Sequence, residues 1–143
     1  MQKLTTIYFF VVFILMGNVS YAQQGVNNNW LMGYGSAFGF PGGQTKLDFN
    51  SGAPVLSYYP VPMDFNHTHA NISDSSGNML FYTNGVYIAD ASNDTMQNGS
   101  GFNPGAYATA FPDGLLIPQG AIIIKKPNST NTYYIFHGSV ETY

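Results

Sequence analysis

Turn signals recur too closely along this chain to leave room for a long helix. Asn50-Ser51-Gly52, Asp74-Ser75-Ser76-Gly77-Asn78, Asn84-Gly85 and Pro127-Asn128-Ser129-Thr130-Asn131 each interrupt short runs of aromatic and β-branched residues. Gly, Asn and Asp accept the backbone angles that tight turns demand, so the pattern predicts short strands joined by turns. The stretch 71–86, NISDSSGNMLFYTNGV, is the clearest case, with two turn signals around one aromatic strand. Asn84-Gly85 predicts a type I′ hairpin, in which both central residues take positive φ.

Read this way, Trp30–Tyr34 is a first strand, and the glycine-rich segment 35–45 is a loop. Lys46–Phe49 and Pro54–Tyr58 form a hairpin, after which Pro60 and Pro62 break any ladder. Residues 70–73, 79–83 and 86–89 make a three-strand meander. Gly120–Lys125 and Thr132–Phe136 make a second hairpin. Residues 91–118 lack periodicity, and a loop of that length can hold an edge strand around Leu115–Ile117. No amphipathic helical period occurs after residue 22.

The two hairpins resemble each other. Ala70-x-Ile72, turn, Leu80-Phe81-Tyr82-x-x-Gly85 parallels Ala121-x-Ile123, turn, Tyr134-Ile135-Phe136-x-Gly138. A period of about 50 residues with several strands per unit is the mark of a β-propeller of kelch size. The expected fold is therefore all-β, with antiparallel meanders forming the first one to two blades of a propeller-like repeat. A small β-sandwich is the alternative. Two units cannot close a ring, so 23–143 reads as an incomplete domain continuing past residue 143.

Residues 1–22 point to export. Lys3 precedes the apolar run Ile7–Met16, and Ser20-Tyr21-Ala22 supplies a small-residue cleavage site. The run is too short to span a bilayer and fits a secretory signal peptide, so no membrane span is expected after cleavage and the destination is the outer surface or the medium. Only four basic residues and a net charge of −3 leave no footprint for nucleic acid. The absence of cysteine excludes disulfides and thiol chemistry.

An ordered series of motifs carries a family likeness: Trp30-Leu-Met-Gly-Tyr-Gly35, Leu47-Asp-Phe-Asn-Ser-Gly-Ala-Pro54, the 70–85 hairpin, Met96-x-Asn-Gly-Ser-Gly101, Leu116-Ile-Pro118 and Lys126-Pro-Asn128 followed by Tyr133-Tyr-Ile-Phe136. Over most of 28–143 this resembles the N-terminal propeller-like region of large exported proteins of gliding, type IX-secreting bacteria. Those proteins often end in a sorting or gliding-motility-associated domain. The resemblance implies location and fold more than activity. Where that family often has Thr-Glu-Gly ahead of the Ile-Ser-Asp turn, this chain has His67-Thr68-His69, so no role of the acidic position carries over.

Candidate sites follow from residue chemistry. On a strand, His67 and His69 share a face and could hold one metal, with Asp64 and Asp74 near in sequence. Asp74–Asn78 begins like a calcium loop but lacks the distal acid, so a solvated turn is the better reading. No nucleophile elbow or placeable carboxylate pair occurs. Loop aromatics make the stronger case. Tyr59, Phe65, Phe102, Tyr107 and Phe111, beside Asp64, His67 and His69, are the candidate ligand-binding residues, since aromatics next to amides and carboxylates can stack on sugar rings or anchor a protein. The same rings can instead fill cores beneath long loops. The expected function is a non-catalytic binding or adhesion module with no cofactor, whose partner is a glycan or a cell-surface protein contacted through 59–69 and 91–118. A polysaccharide-directed hydrolase and a structural surface-layer component are the alternatives.

Overall fold

A computed structural model describes residues 25–35 and 43–139. The expected signal peptide and most of the glycine-rich segment 35–45 lie outside them. The described residues form an all-β protein of three small antiparallel sheets. The first is a meander of β1 (Asn29–Met32), β2 (Thr45–Asp48) and β3 (Val55–Tyr58). The second is a meander of β4 (Ala70–Ser73), β5 (Met79–Thr83) and β6 (Ile88–Asp90). The third is the hairpin of β7 (Ala121–Lys125) and β8 (Tyr133–His137). One short helix, α1 (Ala106–Ala110), sits inside the long 91–118 connection. No described helix is long and apolar enough to cross a membrane.

Side-chain alternation stacks these sheets in three layers. Leu31 of β1 points at Tyr82 and Ala89 of the second sheet, and Val61, Met63 and Phe65 plug the space between them. From the other side of that sheet, Ile72 and Phe81 meet Ile123, with Tyr133 and Ile135 packed against them. The Phe81 and Tyr133 rings meet edge to face at 5.4 Å. The second sheet is therefore buried on both faces, and each fully buried large side chain contributes about 2 kcal/mol through area removed from water.

Strand directions separate the layers. Thr68, just ahead of β4, bonds Ile117 O through its hydroxyl and lies against Gly120, just ahead of β7. Ile72 and Ile123, further along each strand, share one cluster. β4 and β7 thus run the same way. β1 runs opposite to β4: Asn29 bonds Ser73, Leu31 bonds Asn71, and Gly33 bridges Phe65.

The packing also tests the repeat. Matching Ala70 to Ala121 equates Ile72 with Ile123 and Phe81 with Ile135, yet these are the residues that face each other across the layers. Equivalent faces would then oppose, as in a sandwich. A one-residue shift exchanges faces. It equates Asn71 with Ile123 and Tyr82 with Ile135, which are paired across their strands in the same way. Gly85 still matches Gly138 in that register. In that register each unit presents its equivalent face in the same sense.

Three local expectations are corrected. The Asn84-Gly85 turn is not type I′: Thr83 pairs with Ile88 across four residues, and of the two only Gly85 has positive φ, at 86°. The Asn84 side chain shapes the loop instead, accepting from Val86 N at 3.0 Å and donating to Asp64 O at 3.1 Å. Leu115–Ile117 forms no strand. The edge element of the long connection lies earlier, where Thr95 bridges Ala89 and Met96 N bonds Ile88 O at 3.0 Å, closing the β6 edge. A helical turn also forms where none was expected, with Thr109 N reaching Gly105 O. Its five residues are too few to show a period.

Buried amides fasten the irregular segments to the sheets. Gln44, 1% exposed, accepts from Val61 N at 2.8 Å and donates to Met63 O at 2.7 Å, acting as a ladder rung for a loop. Asn71 does the same between layers, accepting from Leu31 N and donating to Asn29 O. Asn103 donates to Gly138 O at 2.9 Å. An unpaired buried backbone group is expensive, and among the described residues no buried side-chain polar atom lacks a partner.

A candidate binding groove

The layers diverge where the β6 edge meets the β7–β8 hairpin. Between them lies a groove of about 660 Å³, within the range of small-ligand sites. Its apolar lining comes from Leu80, Phe81, Ile88, Met96, Tyr133 and Ile135. Its polar rim comes from Asp74 on the β4–β5 turn, Gln97 and Asn98 on the edge segment, and Thr130, Asn131 and Thr132 on the β7–β8 turn. Local geometry sets each part. Asn98 takes positive φ (61°), and Gly99 returns to Ile88, whose N donates to Gly99 O at 2.9 Å. This wraps Met96–Asn98 over the sheet edge. The opposite turn is held by Lys126 N to Thr132 O at 2.9 Å and by Thr132 N to the Ser129 hydroxyl at 3.1 Å.

The groove is almost uncharged. Among the described residues Asp74 is the one carboxylate in its lining, which holds no Lys, Arg or His, and both its oxygens are engaged: Oδ1 accepts from Ser76 N and Asn78 N, Oδ2 from Asn78 Nδ2. The Asn78 side-chain hydrogen bond, followed by its backbone N–H, holds the Asp74 carboxyl below the usual carboxylate range. The group stays anionic and serves its own turn. What remains for a ligand is an apolar floor edged by amides and hydroxyls.

Apart from Asp74, the residues nominated from the sequence lie elsewhere. Phe65 is in the core, 3% exposed and edge-on to Tyr82 at 5.8 Å. It cannot meet a ligand, because its backbone bridges Gly33 and turns the ring inward. Asp64 accepts from Gly35 N and Gln44 Nε2, tying the proline-rich loop to the first sheet. Tyr59 lies half-buried against the first core under the Lys46 ammonium, 5.4 Å from its ring. His67 and His69 are exposed on either side of buried Thr68. Among the described residues no group of three or more acids and histidines could hold a metal. Phe102 lies tilted against His137 at 4.3 Å, and Tyr107 of α1 meets Phe111, just past its end, at 4.9 Å. Only the Met96–Gly99 part of the expected 91–118 surface reaches the groove. Its other residues come from β5, β6 and the second hairpin, whose alternation was visible in the sequence but whose facing neighbour was not.

A further polar contact sits near the proline-rich loop. The Tyr34 hydroxyl reaches Asp113 Oδ2 at 3.4 Å, and the negative charge of Asp113 raises the Tyr34 pKa. No known protein family, curated protein or solved structure matches the chain.

Proposed function

We propose that the protein is an exported recognition module that binds a neutral, hydroxyl-rich ligand such as a glycan at the cell surface or outside it. The observation that carries this reading is the groove between the β6 edge and the β7–β8 hairpin. Its floor is apolar and includes the half-buried Tyr133 ring, and its rim offers Gln97, Asn98, Asn131 and Thr132. Rings and aliphatic side chains cover the apolar faces of sugars, and amides and hydroxyls exchange hydrogen bonds with their hydroxyls. A charged ligand would find no opposite charge there beyond a carboxylate already engaged. The leader at 1–22 and the resemblance to exported propeller-like regions support the location. The common direction of β4 and β7 supports the propeller-like reading.

The test is calorimetric titration of the purified chain with neutral oligosaccharides, repeated with the double variant Met96→Ala, Gln97→Ala. Both side chains are exposed, so folding should survive. Binding by the wild type and a loss of about tenfold or more in the variant support the reading, the loss being the size expected for removing a packed contact and a hydrogen bond. Equal binding by both proteins, or none to any neutral saccharide, overturns it.

A further inference from the structure

Sulfur enters this chain only through methionine. There is no cysteine, and of the six methionines Met1 and Met16 fall in the expected leader. Met63 is 1% exposed inside the first core, Met79 is half-buried against the same cluster, and Met32 is half-buried on β1. Met96 differs from all three. It is 38% exposed and belongs to the apolar lining of the groove. Among the described residues, the most accessible thioether and the candidate ligand site therefore coincide.

Backbone pairing fixes Met96 in that place. Its N–H donates to Ile88 O at 3.0 Å, and its carbonyl accepts from Gly99 N at 2.7 Å. The residue before it, Thr95, bridges Ala89 on the sheet edge. The rest of the apolar lining is Leu80, Phe81, Ile88, Tyr133 and Ile135. Peroxides leave such hydrocarbon and phenol groups alone, whereas they convert an accessible thioether to a sulfoxide. Met96 is thus the one described lining residue open to this chemistry.

We propose that Met96 is an oxidation site that switches the groove, with a peroxide as the oxidant. A lone pair of Sδ attacks one peroxide oxygen. The S–O bond forms as the O–O bond breaks, and the departing hydroxide takes up the proton left on the transferred oxygen and leaves as water. The sulfur gives up two electrons and the peroxide gains them. The product replaces a soft apolar group with a polar one that holds water. It spoils the apolar floor and competes with ligand hydroxyls for the amide donors of Gln97 and Asn98 beside it. An enzyme that reduces methionine sulfoxide restores the thioether, so the change is reversible. The inference rests on the groove being the ligand site and adds what closes that site.

The test treats the purified chain with dilute hydrogen peroxide, maps the added oxygen by peptide mass spectrometry, and titrates with a neutral oligosaccharide before and after. Met96 should gain oxygen first and Met63 last. Affinity should fall about tenfold, the size expected for a poorly paired polar group on an apolar floor, with circular dichroism unchanged. Methionine sulfoxide reductase should restore it. Met96→Leu, whatever its starting affinity, should keep that affinity through the same treatment. Oxidation of Met32 or Met79 ahead of Met96 overturns the proposal, as does a loss that comes with unfolding or an equal loss in Met96→Leu. Binding unmoved by a mapped Met96 sulfoxide removes this inference alone. No binding of any neutral saccharide before oxidation removes the ligand reading, and this inference with it.

Discussion

Removing the Asn71 amide tests how the first two layers are held in register. Its Oδ1 accepts from Leu31 N at 3.0 Å, and its Nδ2 donates to Asn29 O. Leu31 is 2% and Asn29 3% exposed, so Asn71→Ala leaves one buried N–H and one buried C=O unpaired. Each costs about 1–3 kcal/mol. Asn71 is itself only half-buried, which lets some water in, so the expected loss is about 3 kcal/mol. For a chain of this size that lowers the melting temperature by roughly 10 °C. Urea unfolding followed by circular dichroism reads it as a shift in midpoint with unchanged slope. Asn71→Asp sharpens the test. A carboxylate can accept from Leu31 N but can donate to Asn29 O only when protonated, so the folded-state pKa of the new group lies above its unfolded value. Its stabilising contribution is then full below the unfolded pKa and is lost as pH rises through the folded one. Relative to wild type, the variant should therefore recover toward acid pH. A loss under about 0.5 kcal/mol for the alanine variant, within the range of an ordinary surface change, would refute the bridge. A pH-independent deficit for the aspartate variant would do the same.

Two other outcomes follow from turns. Gly25 has φ of 89°, and a Cβ there would come within 2.4 Å of Ser75 O, so Gly25→Ala should destabilise by about 2 kcal/mol or more in the same urea assay through strain and displacement of the β4–β5 turn. Asp74 has a folded-state pKa below the usual value because of Asn78. Its contribution is therefore present above the unfolded carboxylate pKa and lost as pH falls through the folded one. In Asp74→Ala the part of the acid-side decline below about pH 4 that belongs to this turn should vanish.

Local chemistry made the strands legible and left their neighbours hidden. Alternation in Ala121–Lys125 and Tyr133–His137 told of a hairpin with two unlike faces, and the structure pairs them residue for residue. Nothing in the alternation says which face meets the second sheet, because both are apolar. Phe65 looked like a loop aromatic because Pro60 and Pro62 precede it, yet the side chain of Gln44 supplies the hydrogen bonds that let the loop at 61–63 turn inward. The groove was illegible for the same reason. Its walls come from β5, β6, 96–99 and 130–133, which only the stacking of layers brings together. Asparagine misled most. Its density read as turns, whereas Asn29, Asn71, Asn84 and Asn103 also tie one segment to another across the fold.

Asn84 carries a consequence for how the molecule ages. An asparagine followed by glycine is chemically fragile when the glycine nitrogen can swing onto the side-chain carbonyl carbon and expel ammonia through a cyclic imide. Here Gly85 N donates to the Thr83 hydroxyl at 3.0 Å, while the Asn84 amide is held between Val86 N and Asp64 O. Attacker and target are both restrained, and Asn84 is 1% exposed. The folded protein therefore shelters this bond, and damage at Asn84 should accumulate only in chains that have opened, whereas the exposed Asn98 of the second Asn-Gly pair has no such burial. A charge appearing at position 84 would then record how long a molecule has spent unfolded.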